Sequence, residues 1–144
     1  MTQTPTKIVY TASATTTGGR DGAARSDDGS VDVKLVVPKE MGGPGGDGAN
    51  PEKLFAAGYS ACFNGALMMV ARKAGVDASA AQVTAYIGFG PEGDSFAITA
   101  DLEVAIPGLE LALVQELADG AHQVCPYSKA TRGNVPVTVK ALAF

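Results

Sequence analysis

A single histidine and two cysteines are all that this chain of 144 residues offers a soft metal, and no Cys-x-x-Cys or His-x-x-x-His pair joins them. A tetrahedral zinc site needs four such ligands, so no metal is expected, and His122 reads as an ordinary polar residue near a helix C-terminus. Charge is sparse as well. Asp, Glu, Lys and Arg make up 18% of the residues and the formal net charge is −4. No basic surface is left for phosphate, which argues against nucleic acid as a partner. The glycine-rich stretch Gly42-Gly43-Pro44-Gly45-Gly46-Asp47-Gly48 lacks the Gly-Lys-Ser/Thr ending of a nucleotide-binding loop. Glu52 beyond it would also repel an anion, so the stretch is read as a connector or a mobile lid. The first residues hold no apolar core of a secretory signal. A reducing, cytoplasmic setting is therefore expected, where a permanent disulfide is unusual. Catalytic, redox-active and plainly buried roles all stay open for the two thiols.

The most informative absence lies mid-chain, where no charged residue occurs between Leu54 and Ala71. The run opens as a helix should, with Asn50 as N-cap acceptor, Pro51 at the first helical position and Glu52 at the positive dipole end. Gly75 is a natural stop after Lys73-Ala74. A membrane span needs about 20 apolar residues, but this run is mostly Ala and Gly with Ser60 and Asn64 inside it, so its transfer into lipid is weak and no membrane is expected. A helix that is small or apolar all round is buried in protein instead. One copy of so short a chain cannot cover it on every side, so a homo-oligomer is expected.

The remaining residues describe one domain, 1–144, without repeat or linker, of the α+β class with antiparallel sheet packed on helices. Lys7 to Thr17 is rich in β-branched residues and reads as a strand. Ala23 to Ser26 and Val31 to Val37 read as further strands of a meander turning at Asp27-Asp28-Gly29. Two longer strands, Ala81 to Gly90 and Ser95 to Ile106, alternate through Val83, Ala85, Ile87 and Phe89, and through Phe96, Ile98, Ala100, Leu102 and Val104, with Pro91 to Asp94 as their hairpin. A second helix is predicted from about Leu109 to Gln123, with Leu113, Leu117, Ala121 and Val124 on its apolar stripe. Val135 to Leu142 closes the chain as a strand whose Pro136 suits an edge or a strand start.

Cys62 sits in the middle of the charge-free helix and Cys125 at the end of the second one. A free cysteine of pKa about 8.5 is only about 3% thiolate at pH 7, so thiol chemistry calls for a fixed positive charge nearby. Arg20, between Gly18-Gly19 and Asp21-Gly22, is the candidate. Its guanidinium keeps its proton, and its planar fork can hold a carboxylate while facing a thiolate. Glu52 is the obvious carboxylate.

These segments together resemble a known family. Val9-Tyr10-Thr11-Ala12, Gly18-Gly19-Arg20-Asp21-Gly22, Asn50-Pro51-Glu52, Leu54 to Phe63, Cys125-Pro126-Tyr127-Ser128 and Ala130-Thr131-Arg132-Gly133-Asn134 are similar to the blocks of the organic hydroperoxide resistance (Ohr) proteins, a branch of the OsmC/Ohr superfamily. Lys53 and Lys129 stand where Gln and Asn are usual, at positions with no catalytic role. The resemblance implies an OsmC-like, intertwined α+β homodimer. It implies a thiol peroxidase in which Cys62 is the peroxidatic cysteine, Cys125 resolves its sulfenic acid through an intramolecular disulfide, and an Arg20–Glu52 pair activates the thiolate. It further implies an organic hydroperoxide as substrate, a dithiol such as a lipoylated protein as reductant, and no prosthetic cofactor. Phe55, Tyr59, Phe63, Met68 and Met69 could line an apolar substrate site or serve as core. A non-enzymatic redox sensor or hydrophobic-ligand carrier is the competing reading, separated from the first by turnover with a dithiol. On one helix Glu52 precedes Cys62 by a rise of about 15 Å and about 80° around the axis. Either Arg20 spans that gap, or the carboxylate comes from a second copy.

Overall fold

The computed structural model describes residues 2–144. They form two compact units, one ending at Leu54 and one running from Phe55 to the C-terminus.

In the first unit, β1 (Ala14–Thr17), β2 (Ala23–Ser26) and β3 (Asp32–Lys34) form an antiparallel meander in chain order. The turn between β2 and β3 is tied by Asp28, whose carboxylate accepts from the Ser30 backbone N–H and from the Ser30 and Ser26 hydroxyls. These bonds hold its pKa down at about 2, the Ser30 N–H acting most strongly. The strand expected over Lys7 to Thr17 shrinks to its last four residues. Ile8, Val9 and Tyr10 lie outside any strand, 65%, 89% and 79% exposed. β-branched residues favour extended backbone only where a neighbouring strand supplies hydrogen bonds and packing, and no described residue pairs with this segment. The glycine-rich stretch is a tied connector: Gly43 and Gly45 donate to the Pro38 and Val37 carbonyls, and Ala49 to Lys34. Any side chain at Gly43 would strike Val37.

The long helix α1 (Pro51–Lys73) starts as the sequence dictates. Asn50 Oδ1 accepts from the Lys53 N–H at 2.7 Å, the N-cap bond. At the other end Gly75 adopts φ +74, and Val76 N–H returns to the Ala71 carbonyl. The helix is apolar enough by length and composition to cross a membrane, yet Tyr59, Phe63, Ala66, Leu67 and Ala71 on one side are packed into the core of the second unit. Ser60 and Asn64, inside its charge-free run, are satisfied: Ser60 bonds back to Ala57 O and Asn64 donates to Ala81 O. Leu54, Met68 and Met69 remain exposed, so the single chain buries one side of α1 only.

The second unit adds β4 (Gln82–Glu92), β5 (Ser95–Ala105), α2 (Leu111–Val124), α3 (Pro126–Thr131) and β6 (Val137–Ala141), with sheet order β4-β5-β6. The β4–β5 hairpin is tighter than the sequence suggests. Pairing runs through Pro91 opposite Phe96 to Glu92 opposite Ser95, leaving Gly93-Asp94 as the turn. Proline is tolerated there because β4 is an edge strand. Ala100, Leu102 and Val104 are fully buried, in the expected alternation. Phe89 and Phe96 stack at the hairpin end, 4.8 Å apart. The closing strand β6 runs parallel to β5, which makes this sheet mixed rather than purely antiparallel. A parallel return needs a long crossover, and α2 and α3 supply it. The buried stripe of α2 is Val114, Leu117, Ala118 and Ala121, with Val124 exposed rather than at its end. The α+β class stands, with one antiparallel and one mixed sheet.

Candidate active site

The first unit brings Arg20 and Glu52 together. Gly18 and Gly19, both at positive φ, lead into a 3-10 turn that carries Arg20. Its guanidinium meets the Glu52 carboxylate through two bonds, Nη1 to Oε2 at 2.9 Å and Nη2 to Oε1 at 2.8 Å. This is the fork-to-fork geometry that Lys cannot reproduce. The Arg20 N–H donors hold the Glu52 carboxyl below its ordinary value, and Glu52 in turn raises the guanidinium. The side chains are 38% and 15% exposed, so solvent screens the pair.

The second unit brings the two cysteines together. Cys62 and Cys125 are separated by 63 residues, yet their sulfurs lie 3.7 Å apart, both as free thiols. Cys125 is fully buried at the junction where α2 ends and α3 begins, and Cys62 is half-buried on α1. Burial pushes the Cys62 thiol above its ordinary value; the Tyr127 backbone N–H works against this, and the neighbouring Cys125 adds to the rise. Among the described residues no group of three or more His, Cys, Asp or Glu is placed to hold a metal.

Around the thiols the structure adds residues that the sequence reading passed over. The Tyr127 ring packs on Phe55 and Tyr59, with centroids 6.1 and 5.8 Å away. It also lies over Gly58, where an added methyl would stand 3.0 Å from the tyrosine oxygen. Tyr59 and Phe63 are wholly buried and belong to the core, not to an open substrate wall. Beneath them runs a chain of polar groups. The Tyr59 hydroxyl lies 2.8 Å from Ser128 Oγ and 3.2 Å from Thr131 Oγ1, and His122 Nδ1 lies 2.8 Å from Ser128 Oγ. His122 is therefore a member of a buried network rather than a bystander. One spacing could have flagged it: Tyr59 precedes Cys62 by three residues, and His122 and Ser128 flank Cys125 by three on either side.

Two facing thiols in an α+β chain, a half-buried one on α1 and a buried one at the α2–α3 junction, define a dithiol protein. The chain belongs to the OsmC-like protein family, whose match covers residues 43–140. It is 51% identical over 136 residues to the organic hydroperoxide resistance protein of Xanthomonas axonopodis pv. citri, covering 94% of this chain and 96% of that protein. Among solved structures it resembles an organic hydroperoxide resistance protein from Elizabethkingia anophelis, at 45% identity and TM-score 0.88 over 96% of this chain and 99% of the other. It also resembles the organic hydroperoxide resistance protein OhrB of Bacillus subtilis, at 41% identity and TM-score 0.83 over 94% and 100%.

Proposed function

We propose that the chain is a cysteine-based peroxidase that reduces organic hydroperoxides to alcohols. The observation that carries this reading is the 3.7 Å approach of a half-buried thiol to a buried one, supported by the names of the relatives. The Cys62 thiolate attacks the terminal peroxide oxygen, the O–O bond breaks, and the alkoxide leaves as alcohol with the proton. Cys62 becomes a sulfenic acid. The Cys125 sulfur then attacks it; an S–S bond of about 2.05 Å forms, the S–O bond breaks, and water departs with the Cys125 proton. A dithiol, of the lipoyl type, takes over the disulfide by exchange and restores both thiols.

Within its own unit the Cys62 thiol is pushed up, so it needs a cation to ionise at neutral pH. Arg20, oriented by Glu52, is assigned that role. We further take 1–144 as one functional domain, working as a homodimer in the cytoplasm without a cofactor. The exposed Ile8-Val9-Tyr10 segment and the uncovered Leu54, Met68 and Met69 of α1 support a second copy. The test is a peroxidase assay with cumene hydroperoxide against hydrogen peroxide, reduced by dihydrolipoamide or by a monothiol. Preferential turnover of the organic substrate with the dithiol is expected, because an apolar tail contributes about 0.8 kcal/mol per buried methylene. No turnover of either peroxide would overturn the reading.

A further inference from the structure

All the contacts of the polar chain can be hydrogen bonds at once in only one distribution of protons. The Thr131 hydroxyl also lies 3.1 Å from the Ser128 carbonyl, and a carbonyl can only accept, so Thr131 donates there. Thr131 Oγ1 must then accept from Tyr59. The Tyr59 hydroxyl, having given its proton, accepts from Ser128, and Ser128, having given its own, accepts from His122. The last donor in the row is therefore His122 Nδ1–H. Burial and the Arg132 charge lower the imidazole pKa, so at neutral pH the ring is uncharged, protonated on Nδ1 and bare on Nε2. A nitrogen that is donating cannot also be the base for Ser128, which is itself completely buried; the His122–Ser128 contact is not a nucleophile pair.

The chain crosses every element that carries a thiol. Tyr59 is on α1 three residues before Cys62, His122 is on the last turn of α2 three before Cys125, and Ser128 and Thr131 are on α3, which begins after Cys125. Next to Ser128, Tyr127 turns its backbone N–H to Cys62. We propose that the row His122–Ser128–Tyr59–Thr131 is the device that holds Cys125 against Cys62 for disulfide closure, and that His122 is its terminal positioning residue. Resting on the peroxidase reading, this assigns the row to the second half of the cycle, the attack of Cys125 on the Cys62 sulfenic acid.

The chain has one histidine, so an untagged, 15N-labelled sample gives a single imidazole to read. A proton on Nδ1 and none on Nε2 above the ring's pKa is expected; the opposite tautomer overturns the inference. The second measurement equilibrates the Cys62–Cys125 pair in a dihydrolipoamide/lipoamide buffer. Ser128→Ala and Tyr59→Phe should shift that equilibrium toward the dithiol by tenfold or more. His122→Asn, which keeps an N–H near the Nδ1 position, should stay within threefold of wild type, while His122→Gln, which offers it near Nε2, should behave like Ser128→Ala. If Ser128→Ala does not fold, the Asn/Gln contrast at His122 decides alone. Equal equilibria in all folded variants overturn the inference. Neither readout uses a hydroperoxide, so a wild type without peroxidase activity would sink the proposed function while leaving the positioning row to stand or fall by itself.

Discussion

Cys62 is half-buried and Cys125 fully buried, and the proposed order, Cys62 first, follows that difference. The buried thiol cannot meet a substrate first, whereas the half-buried one can. Cys62→Ser should abolish turnover. Cys125→Ser should release one equivalent of alcohol per site, then stall and over-oxidise at Cys62, which mass spectrometry after substoichiometric peroxide would record. Arg20→Ala should slow Cys62 oxidation at least tenfold at neutral pH. Burial raises the Cys62 pKa, and a cation in the role proposed for Arg20 would lower it, so on that proposal losing Arg20 moves ionisation to higher pH and the deficit narrows as pH rises. The alkylation rate against pH for the two proteins measures this directly, and a constant deficit would assign Arg20 to positioning instead. For Glu52 the folded pKa is depressed by Arg20. Its contribution to stability is therefore present above its ordinary value of 4.5 and is lost as pH falls through the depressed one. Acid unfolding of Glu52→Gln beside wild type should converge at low pH.

At the scale of elements, α1 was legible almost to the residue because its ends are written chemically: an Asn-Pro-Glu start and a glycine stop. Asn50→Ala removes the cap bond and should cost about 1 kcal/mol in urea unfolding. Gly58→Ala separates stability from chemistry. Helix propensity favours alanine by about 0.8–1 kcal/mol, but its methyl would press on Tyr127 at 3.0 Å. Stability should hold within about 1 kcal/mol while disulfide closure slows, read by stopped flow. The strands β4 and β5 were legible from alternation. The direction of β6 was not, because Val137-Thr138-Val139 alternates identically whether its neighbour runs with it or against it. The α2 stripe slipped toward Val114 and Ala118 since Leu and Ala positions one turn apart satisfy two overlapping helical faces. Arg20 and Glu52 could be matched by their chemistry, a fixed cation and a carboxylate, and by the family resemblance, but not by pattern, since the short turn that carries Arg20 has no periodicity. The polar row was missed because polar groups on three elements share no sequence pattern beyond their distance from each cysteine.

For the whole molecule, the exposed Val9 and Tyr10 are the places where a second copy would be felt. Val9→Asp should weaken self-association, with sedimentation velocity showing a shift toward the monomer; an unchanged profile would move the interface to the open side of α1. Mixing Cys62→Ser with Glu52→Ala under conditions that form heterodimers then asks which copy supplies the carboxylate. The Arg20–Glu52 pair is made within one chain; if it serves the Cys62 of that same chain, each mixed site keeps one defect and the mixture stays inactive. Recovered activity would place the carboxylate across the dimer.

The approach of two sulfurs 63 residues apart also ties the fold to the redox state of its surroundings. A bridge closing a loop of that size removes chain entropy from the unfolded state worth about 4 kcal/mol. Linkage works in both directions, so the folded protein must favour the bridge by the same amount, a potential about 90 mV more reducing than the unfolded pair would have. A pair of lower potential is closed by a weaker oxidant, such as the hydroperoxide of the proposed cycle, and needs a stronger dithiol to reopen it. The protein's melting temperature becomes a gauge of how well that reductant keeps up: high when the supply fails, lower when it is ample.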